Sequence, residues 1–166
     1  GKVWSQFKGN MPPVPVRDLV IQEKENDLVI GTHGRGVMIL DDISPLRNLT
    51  QEILNKDVAF LEGRPYKIGH LDWEMAFMGD DEFVGSNPPG STMINYYLKK
   101  RHVFGEMHLE VYNDKGEKIK ELPAGKRKGV NRVPWEMRMK GPKVPQSPLL
   151  SPQAMYGPTY PPGKYT

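Results

Sequence analysis

The sequence predicts an all-β fold in two parts, and three observations carry that prediction. The 166 residues include 17 glycines and 16 prolines, a share that favours many turns over long helices. Two apolar runs, 28–30 and 37–40, flank the glycine-rich stretch Gly-Thr-His-Gly-Arg-Gly at 31–36, which is the pattern of a β-hairpin. A second hairpin is predicted where strands at 107–112 and 117–122 flank Asn113 to Gly116, because these residue types favour tight turns.

The first part, residues 1–61, is predicted to hold short strands and one short helix. Besides the hairpin, strands are expected at 3–7, 16–21 and 57–60. Pro45 suits the first position of a helix that either Asp42 or Ser44 could cap. Apolar residues then recur at helical spacing up to Leu54, so the pattern predicts one helix near 45–55.

The second part is predicted to follow a linker. Residues 62–91 mix glycine, proline, acidic and aromatic side chains without a period, which indicates a linker or wrapping loop. Residues 92–166 are predicted to form a small β-sandwich. Its strands are expected at 92–98, at the two hairpin segments and at 130–137, where Pro134 favours an edge strand or a bulge.

Alternation along these strands predicts which side chains point inward. Leu109 and Val111 are expected on one face of the hairpin, with His108, Glu110 and Tyr112 on the other. In the strand at 130–137, Val133 and Trp135 are expected to point inward. Trp135 is therefore predicted to be the largest core residue of the sandwich.

Trp4 and the segments 10–19, 26–37 and 39–46 resemble the last blade of a bacterial β-propeller with BNR or sortilin-type repeats. In that family the glycines make a tight turn between neighbouring strands of a blade. The resemblance implies an exported bacterial protein, at the cell surface, in the periplasm or outside the cell. One blade does not fold alone, so the expected partners are the remaining blades or another protein chain.

Segments 109–116, 129–135 and 162–165 are similar to an immunoglobulin-like or fibronectin type III-like module, of the flagellar hook-capping type. The last strand of that family continues past the tyrosine that matches Tyr165. The resemblance therefore implies an immunoglobulin-like sandwich over 92–166 that lacks its complete last strand.

Composition narrows the range of functions. The chain has no cysteine, which excludes a disulfide scaffold, a thiolate nucleophile and a cysteine-ligated zinc site. No apolar run reaches 18 residues, so no membrane span is expected. Residues 99–143 carry 13 basic and 6 acidic side chains, but these alternate with apolar residues as on a solvated sheet face. No nucleic-acid partner is expected.

His33 and Arg35, in the turn of the first hairpin, are the candidate binding residues. The turn lacks the lysine and hydroxyl residue of a P-loop, and a strand follows it where a phosphate site needs a helix. The two side chains could instead touch a ligand in a propeller channel. The competing interpretation is a role in the turn or in blade packing.

Other polar and aromatic clusters have a plainer interpretation. Asp41 and Asp42 could bind calcium, but helix capping explains them better. The acidic residues 80–82 and the four histidines lack a metal-ligand spacing, so no metal and no cofactor is predicted. Four aromatic residues could stack on sugar rings, but core or interface packing explains them better: Trp73, Trp135, Tyr156 and Tyr160.

The sequence therefore predicts a non-catalytic structural or interaction region. Propellers of this type are often glycosyl-hydrolase-like, but the Asp-box pattern Ser-x-Asp-x-Gly-x-Thr-Trp does not occur here. One alternative is an accessory part of a glycan-active hydrolase whose active site lies in other blades. A second alternative is a glycan-binding module that uses exposed aromatic rings.

Overall fold

The structure is a computed structural model and describes Trp4, Gln6 and residues 9–67, 90–145 and 155–166. The chain divides into two compact units, Gly1–Ser44 and Pro45–Thr166. Strands in small antiparallel sheets dominate both units, which confirms the all-β prediction. No helix in these ranges is long and apolar enough to cross a membrane.

The first unit contains one three-stranded antiparallel sheet. Its strands are β1 (Val16–Gln22), β2 (Asp27–Thr32) and β3 (Val37–Leu40), in the order β1-β2-β3. The predicted strand at 16–21 and the glycine-rich hairpin are both confirmed. The strand predicted at 3–7 lies largely outside the described residues, and Trp4 is exposed.

Two short helices replace the single helix predicted near 45–55. They are α1 (Ser44–Arg47) and α2 (Gln51–Asn55). The break falls before Thr50, whose backbone is extended and whose hydroxyl accepts the Ile53 amide at 3.3 Å. The prediction of one helix was wrong, because Thr50 has an extended backbone and caps a second helix with its side chain. The helical hydrogen bonding is therefore interrupted before Thr50.

The second unit contains two antiparallel sheets. The larger one joins β4 (Val58–Leu61), β5 (Thr92–Leu98) and β8 (Gly129–Trp135) in the order β4-β5-β8. The smaller one is the hairpin of β6 (His108–Tyr112) and β7 (Lys118–Pro123). Pro134 lies in β8, which is an edge strand as predicted.

The strand β4 moves the boundary between the two parts. The sequence predicts that the first part ends at residue 61, but β4 pairs along its whole length with β5. The second compact unit therefore begins at Pro45. The physical reason is that the edge of β5 forms hydrogen bonds with β4, although residues 62–91 separate the two strands in sequence. Most of that segment lies outside the described residues.

The core of the second unit lies between its two sheets. Tyr96, Leu98, Leu109 and Val133 form a buried cluster, which joins β5, β6 and β8. The predicted faces of the hairpin are confirmed, since Leu109 and Val111 are buried. Burial of these apolar faces is the main force that holds the two sheets together.

Candidate functional site

The turn between β2 and β3 carries His33 and Arg35, the two residues that the sequence selects for ligand contact. Gly34 and Gly36 have φ angles of 80° and 69°, a conformation that glycine adopts without strain. Thr32 closes the turn, because its amide and its hydroxyl both donate to the Gly36 carbonyl, at 3.1 and 2.6 Å. The glycines thus shape a tight turn that leaves His33 and Arg35 exposed.

The structure brings His33 and Arg35 to one turn but joins them to no other reactive group. The His33 amide donates to the Pro15 carbonyl at 2.9 Å, which fixes the backbone. No hydrogen bond or ion pair links either side chain to another residue of the described ranges. The pair is exposed and can meet a partner surface or an anion.

Apolar side chains reach water on both faces of the first sheet. On one face, Val20 and Ile39 flank Val29 in register and are 54% and 60% exposed. On the other face, Leu19 is 58% exposed beside the buried Ile30. A sheet that is apolar on both faces is typical of a layer that other elements cover on both sides.

The acidic pair after β3 serves the start of α1. The Asp42 carboxylate accepts the Ser44 amide at 3.1 Å, and the Asp42 amide donates to the Asp27 carboxylate at 2.8 Å. Within the described ranges, no group of three histidine, aspartate or glutamate side chains could hold a metal ion. The acidic residues 80–82 lie outside those ranges.

An ionic cluster covers the exposed face of the β6–β7 hairpin. Lys118 Nζ donates to Glu110 Oε1 and to Glu121 Oε2, both at 2.8 Å. The Tyr112 hydroxyl donates to Glu110 Oε2 at 2.6 Å, and His108 Nδ1 lies 3.4 Å from Glu121 Oε1. We call these five residues the hairpin ionic cluster.

The hydrogen bonds of this cluster set its protonation states. Those from Lys118 hold the pKa of Glu110 and the pKa of Glu121 below the ordinary value. The hydrogen bond from Tyr112 to Glu110 raises the pKa of Tyr112. The hydrogen bond from Lys118 to Glu110 is the main reason that the pKa of Lys118 is raised. A general acid needs a carboxyl pKa that is raised toward neutrality. The cluster therefore favours permanent charge over proton transfer.

Three aromatic rings meet at one end of the second unit. Trp135 lies 5.8 Å from Tyr160 and 5.2 Å from Tyr165 between ring centroids, and the contacts are tilted or edge to face. Trp135 is buried and is the largest side chain of the described core, as predicted. The Tyr160 hydroxyl donates to the Ile119 carbonyl at 3.0 Å. Trp135 and Tyr160 are thus held by contacts within the second unit, which fits the predicted packing role.

A groove of about 420 Å³ lies beside these rings. Tyr160, Tyr165, Asn113 and Lys164 contribute to its lining. The sequence did not single out this groove, because it combines a hairpin turn with a distant segment. Among the other candidate aromatic residues, Tyr156 is exposed beneath the Arg138 guanidinium, 5.1 Å from the ring centroid, and Trp73 lies outside the described ranges.

Sequence reasoning also missed the hairpin ionic cluster. The observed register places Glu110 opposite Glu121 and Tyr112 opposite Lys118, with a register shift between Val111 and Tyr112. Opposed residues share a face of the hairpin. A regular hairpin around the predicted turn would have placed other residues opposite one another, so the predicted turn alone did not give the cluster.

No family model, no curated protein and no solved structure matches this chain.

Proposed function

We propose that this chain is a non-catalytic structural and interaction region of an exported bacterial protein, and that its first unit packs as one layer of a larger β-structure. The observation that carries the proposal is the first sheet, which exposes apolar side chains on both faces. Large uncovered apolar surface is unfavourable in water and marks contact sites. The partners would be further propeller blades or another protein chain.

The location of the apolar residues supports a layered partner. Val20, Val29 and Ile39 cross all three strands on one face, and Leu19, Ile30 and Met38 cross them on the other. Such rows match the flat contact between stacked sheets. His33 and Arg35 lie in the β2–β3 turn, at one end of the same sheet. They would contact any part of the partner that extends past that end.

The test measures hydrogen exchange in the 166-residue chain. If the first sheet lacks its covering layers, amides at 16–40 exchange through low-energy local opening, while those of β5 and β8 stay protected. Dye binding to exposed apolar surface should fall when Ile39 is changed to threonine. The matched change Val103→Thr removes a valine of similar exposure outside the sheet and should leave the dye signal of the sheet in place.

Slow exchange at 16–40 in a monomeric, cooperatively melting chain would contradict the proposal. That result would mean that the first sheet is stable without any further layer. An unchanged dye signal in Ile39→Thr would contradict it as well, because the exposed face would then not be the surface that binds the dye.

A glycan-binding role is the second candidate, and the groove beside Tyr160 and Tyr165 is its best location. The groove combines aromatic rings with polar groups of Asn113 and Lys164, which is the composition that sugar sites use. The two tyrosines also contact each other, with ring centroids 6.2 Å apart. Since their rings are engaged in packing, this candidate has less support than the apolar sheet.

A further inference from the structure

Two loops at one end of the larger sheet of the second unit carry a dense group of basic side chains. The loop after β5, residues 99–107, begins with Lys-Lys-Arg, and the loop before β8, residues 124–128, ends with Lys-Arg-Lys. Leu98 pairs with Gly129, so the two loops start side by side. Six of the 13 basic residues in 99–143 thus lie in loops and not on a solvated sheet face. We call the two segments the basic loop pair.

Hydrogen bonds join the two loops to each other. The His102 amide donates to the Lys126 carbonyl at 3.0 Å, and Lys126 Nζ donates to the Gly105 carbonyl at 2.5 Å. The Ala124 amide donates to the Met107 carbonyl at 3.0 Å. The loops therefore form one surface, which holds their basic side chains together.

The positive charge of this surface is largely uncompensated. Glu106 is the one acidic residue in the two loop sequences, and its carboxylate lies 3.1 Å from His108 Nε2. Four exposed basic side chains of the loops form no ion pair with any residue that the structure describes: Lys100, Arg101, Arg127 and Lys128. Clustered charges of one sign attract a surface of the opposite sign, so the basic loop pair favours an anionic partner.

Two exposed apolar side chains lie within the same surface. Phe104 is 86% exposed and Val103 is 67% exposed. They precede Gly105, whose φ of 74° turns the chain. Uncovered apolar area of this kind is unfavourable in water. The loop thus combines an apolar pair with cations on the same side of the unit.

The basic loop pair lies away from the points where the undescribed segments of this unit begin and end. Residues 62–91 connect Leu61, which pairs with Asn95, to Thr92 at the start of β5. Trp135, which precedes the undescribed residues 146–154, pairs with Thr92 at the same end of the sheet. The described flanks of both segments are therefore at the end opposite to Leu98. This arrangement favours an occupant from outside the chain.

We propose that the basic loop pair binds the surface of an anionic lipid bilayer, with Phe104 and Val103 in the headgroup region and the basic side chains on the acidic headgroups. Interfacial binding combines buried apolar area with attraction to anionic lipid, and each cation near the bilayer surface adds to it. Lysine and arginine can bury their stems while their charged groups stay in the polar layer. The chain would lie on the bilayer without crossing it.

A soluble polyanion is a poorer occupant of this surface. Nucleic-acid recognition uses amide and hydroxyl side chains or several stacking rings, and the two loops contain no Asn, Gln, Ser, Thr, Tyr or Trp. An anionic polysaccharide would neutralise the cations but would leave Val103 and Phe104 in water. A lipid interface engages both the charged and the apolar side chains.

The test measures binding of the 166-residue chain to vesicles by sedimentation. Vesicles of phosphatidylcholine are compared with vesicles that contain about 30% phosphatidylglycerol, which is anionic. The partition coefficient should be at least about tenfold larger for the anionic vesicles, because several basic side chains face their headgroups. About 0.5 M salt should reduce that difference, since it screens exposed charges.

A pair of double variants tests the charges. Arg127→Gln with Lys128→Gln should lower the partition coefficient on anionic vesicles by about tenfold or more, since each basic residue near the bilayer contributes about fivefold. Lys115→Gln with Lys164→Gln removes the same charge from the groove beside the hairpin turn and should leave the coefficient within about twofold. All four side chains are exposed, so both double variants are expected to fold.

A second pair of variants tests the apolar contact. Phe104→Ser should lower the partition coefficient by about tenfold, because burial of one phenylalanine contributes that much. Phe60→Ser removes a phenylalanine of comparable exposure from β4 and should leave the coefficient within about twofold.

Equal binding to neutral and anionic vesicles would overturn the proposal, as would equal weakening by the two double variants or by the two phenylalanine variants. Loss of binding in Ile39→Thr but not in Phe104→Ser would assign the contact to the first sheet and overturn it. Binding to a single-stranded oligonucleotide or a sulfated polysaccharide, with none to vesicles, would assign the surface to that polyanion instead. None of these results bears on the proposed function, which hydrogen exchange at 16–40 tests separately.

Discussion

Trp135 closes one end of the sandwich together with two tyrosines. It is 4% exposed and lies against Tyr160 and Tyr165, which belong to a segment distant in sequence. Its indole Nε1 is buried and has no hydrogen-bond partner among the residues that the structure describes. The residue thus contributes through apolar contact area, and part of that contribution is offset by the unpaired N–H group.

We expect Trp135→Ala to lower the free energy of unfolding by about 3–5 kcal/mol, the range for deletion of a large buried aromatic side chain. Trp135→Phe should lower it less, because phenylalanine keeps ring contacts and removes the unpaired N–H. Equilibrium urea denaturation measures both changes. Trp4→Ala is the matched control, since Trp4 is 87% exposed. An equally stable Trp135→Ala protein that lost only sugar binding would contradict this role and favour the glycan-binding candidate.

The β6–β7 hairpin combines a buried apolar face with the hairpin ionic cluster on its exposed face. Leu109 and Val111 are buried, while Lys118 lies between Glu110 and Glu121. Exposed ion pairs contribute little one by one. A lysine shared by two carboxylates holds the two strands in one register. The cluster therefore stabilises the hairpin as a whole and not one residue.

The hairpin should lose stability at both ends of the pH scale. The lowered pKa of Glu110 and of Glu121 means that their contribution is complete above the unfolded value, near 4.5, and is lost as pH falls through the folded pKa. The raised pKa of Lys118 means that its contribution is lost only as pH rises well above 10.5. The thermal unfolding temperature, plotted against pH, should therefore show a plateau between these limits.

Lys118→Met should flatten the acid side of that profile, because the two carboxylates lose the hydrogen bonds that lower their pKa. Lys115→Met changes a lysine in the hairpin turn, outside the cluster, and should leave the slope intact. About 1 M salt should weaken the dependence as well, since it screens exposed charges. An acid slope that is the same in both variants would contradict the assignment.

At the scale of the whole molecule, the apolar first sheet is the feature that points beyond the chain. The described part of the first unit is a single sheet that exposes apolar side chains on both faces. A sheet exposed in this way is an incomplete β-layer, so it points to contact with other β-structure.

We expect the 166-residue chain to release no product from aryl glycosides. Glycoside hydrolysis ordinarily needs two carboxyl groups about 5–10 Å apart, one of which has a raised pKa. Glu110 and Glu121 are the carboxylates that the structure brings together through Lys118, and the pKa of each is lowered. A chromogenic assay measures turnover, with Glu110→Gln as the control. Turnover that this change abolishes would make the accessory-hydrolase alternative the leading one.

The local pattern of residues determined the positions of most strands. Strand 16–21, strand 92–98 and both hairpins were predicted from alternation and turn residues, and the structure has them at β1, β5 and the two hairpins. These signals are local, because a strand or a tight turn depends on neighbouring residues. The exposed location of His33 and Arg35 in a turn follows from the same kind of signal. Burial of Leu109 and Trp135 was predictable because alternation assigns each residue a face.

Only the tertiary structure decided which distant segments meet. The pairing of β4 with β5 moved the boundary of the second unit to Pro45, and it left Phe60 uncovered on a core face. The contact of Trp135 with Tyr165 and the exchange of hydrogen bonds between Tyr112 and Thr166 are of the same kind. Such contacts depend on which edges and apolar faces remain open once the local elements have formed. The sequence of neighbouring residues does not predict which segments pair, because the pairing depends on how distant surfaces fit together.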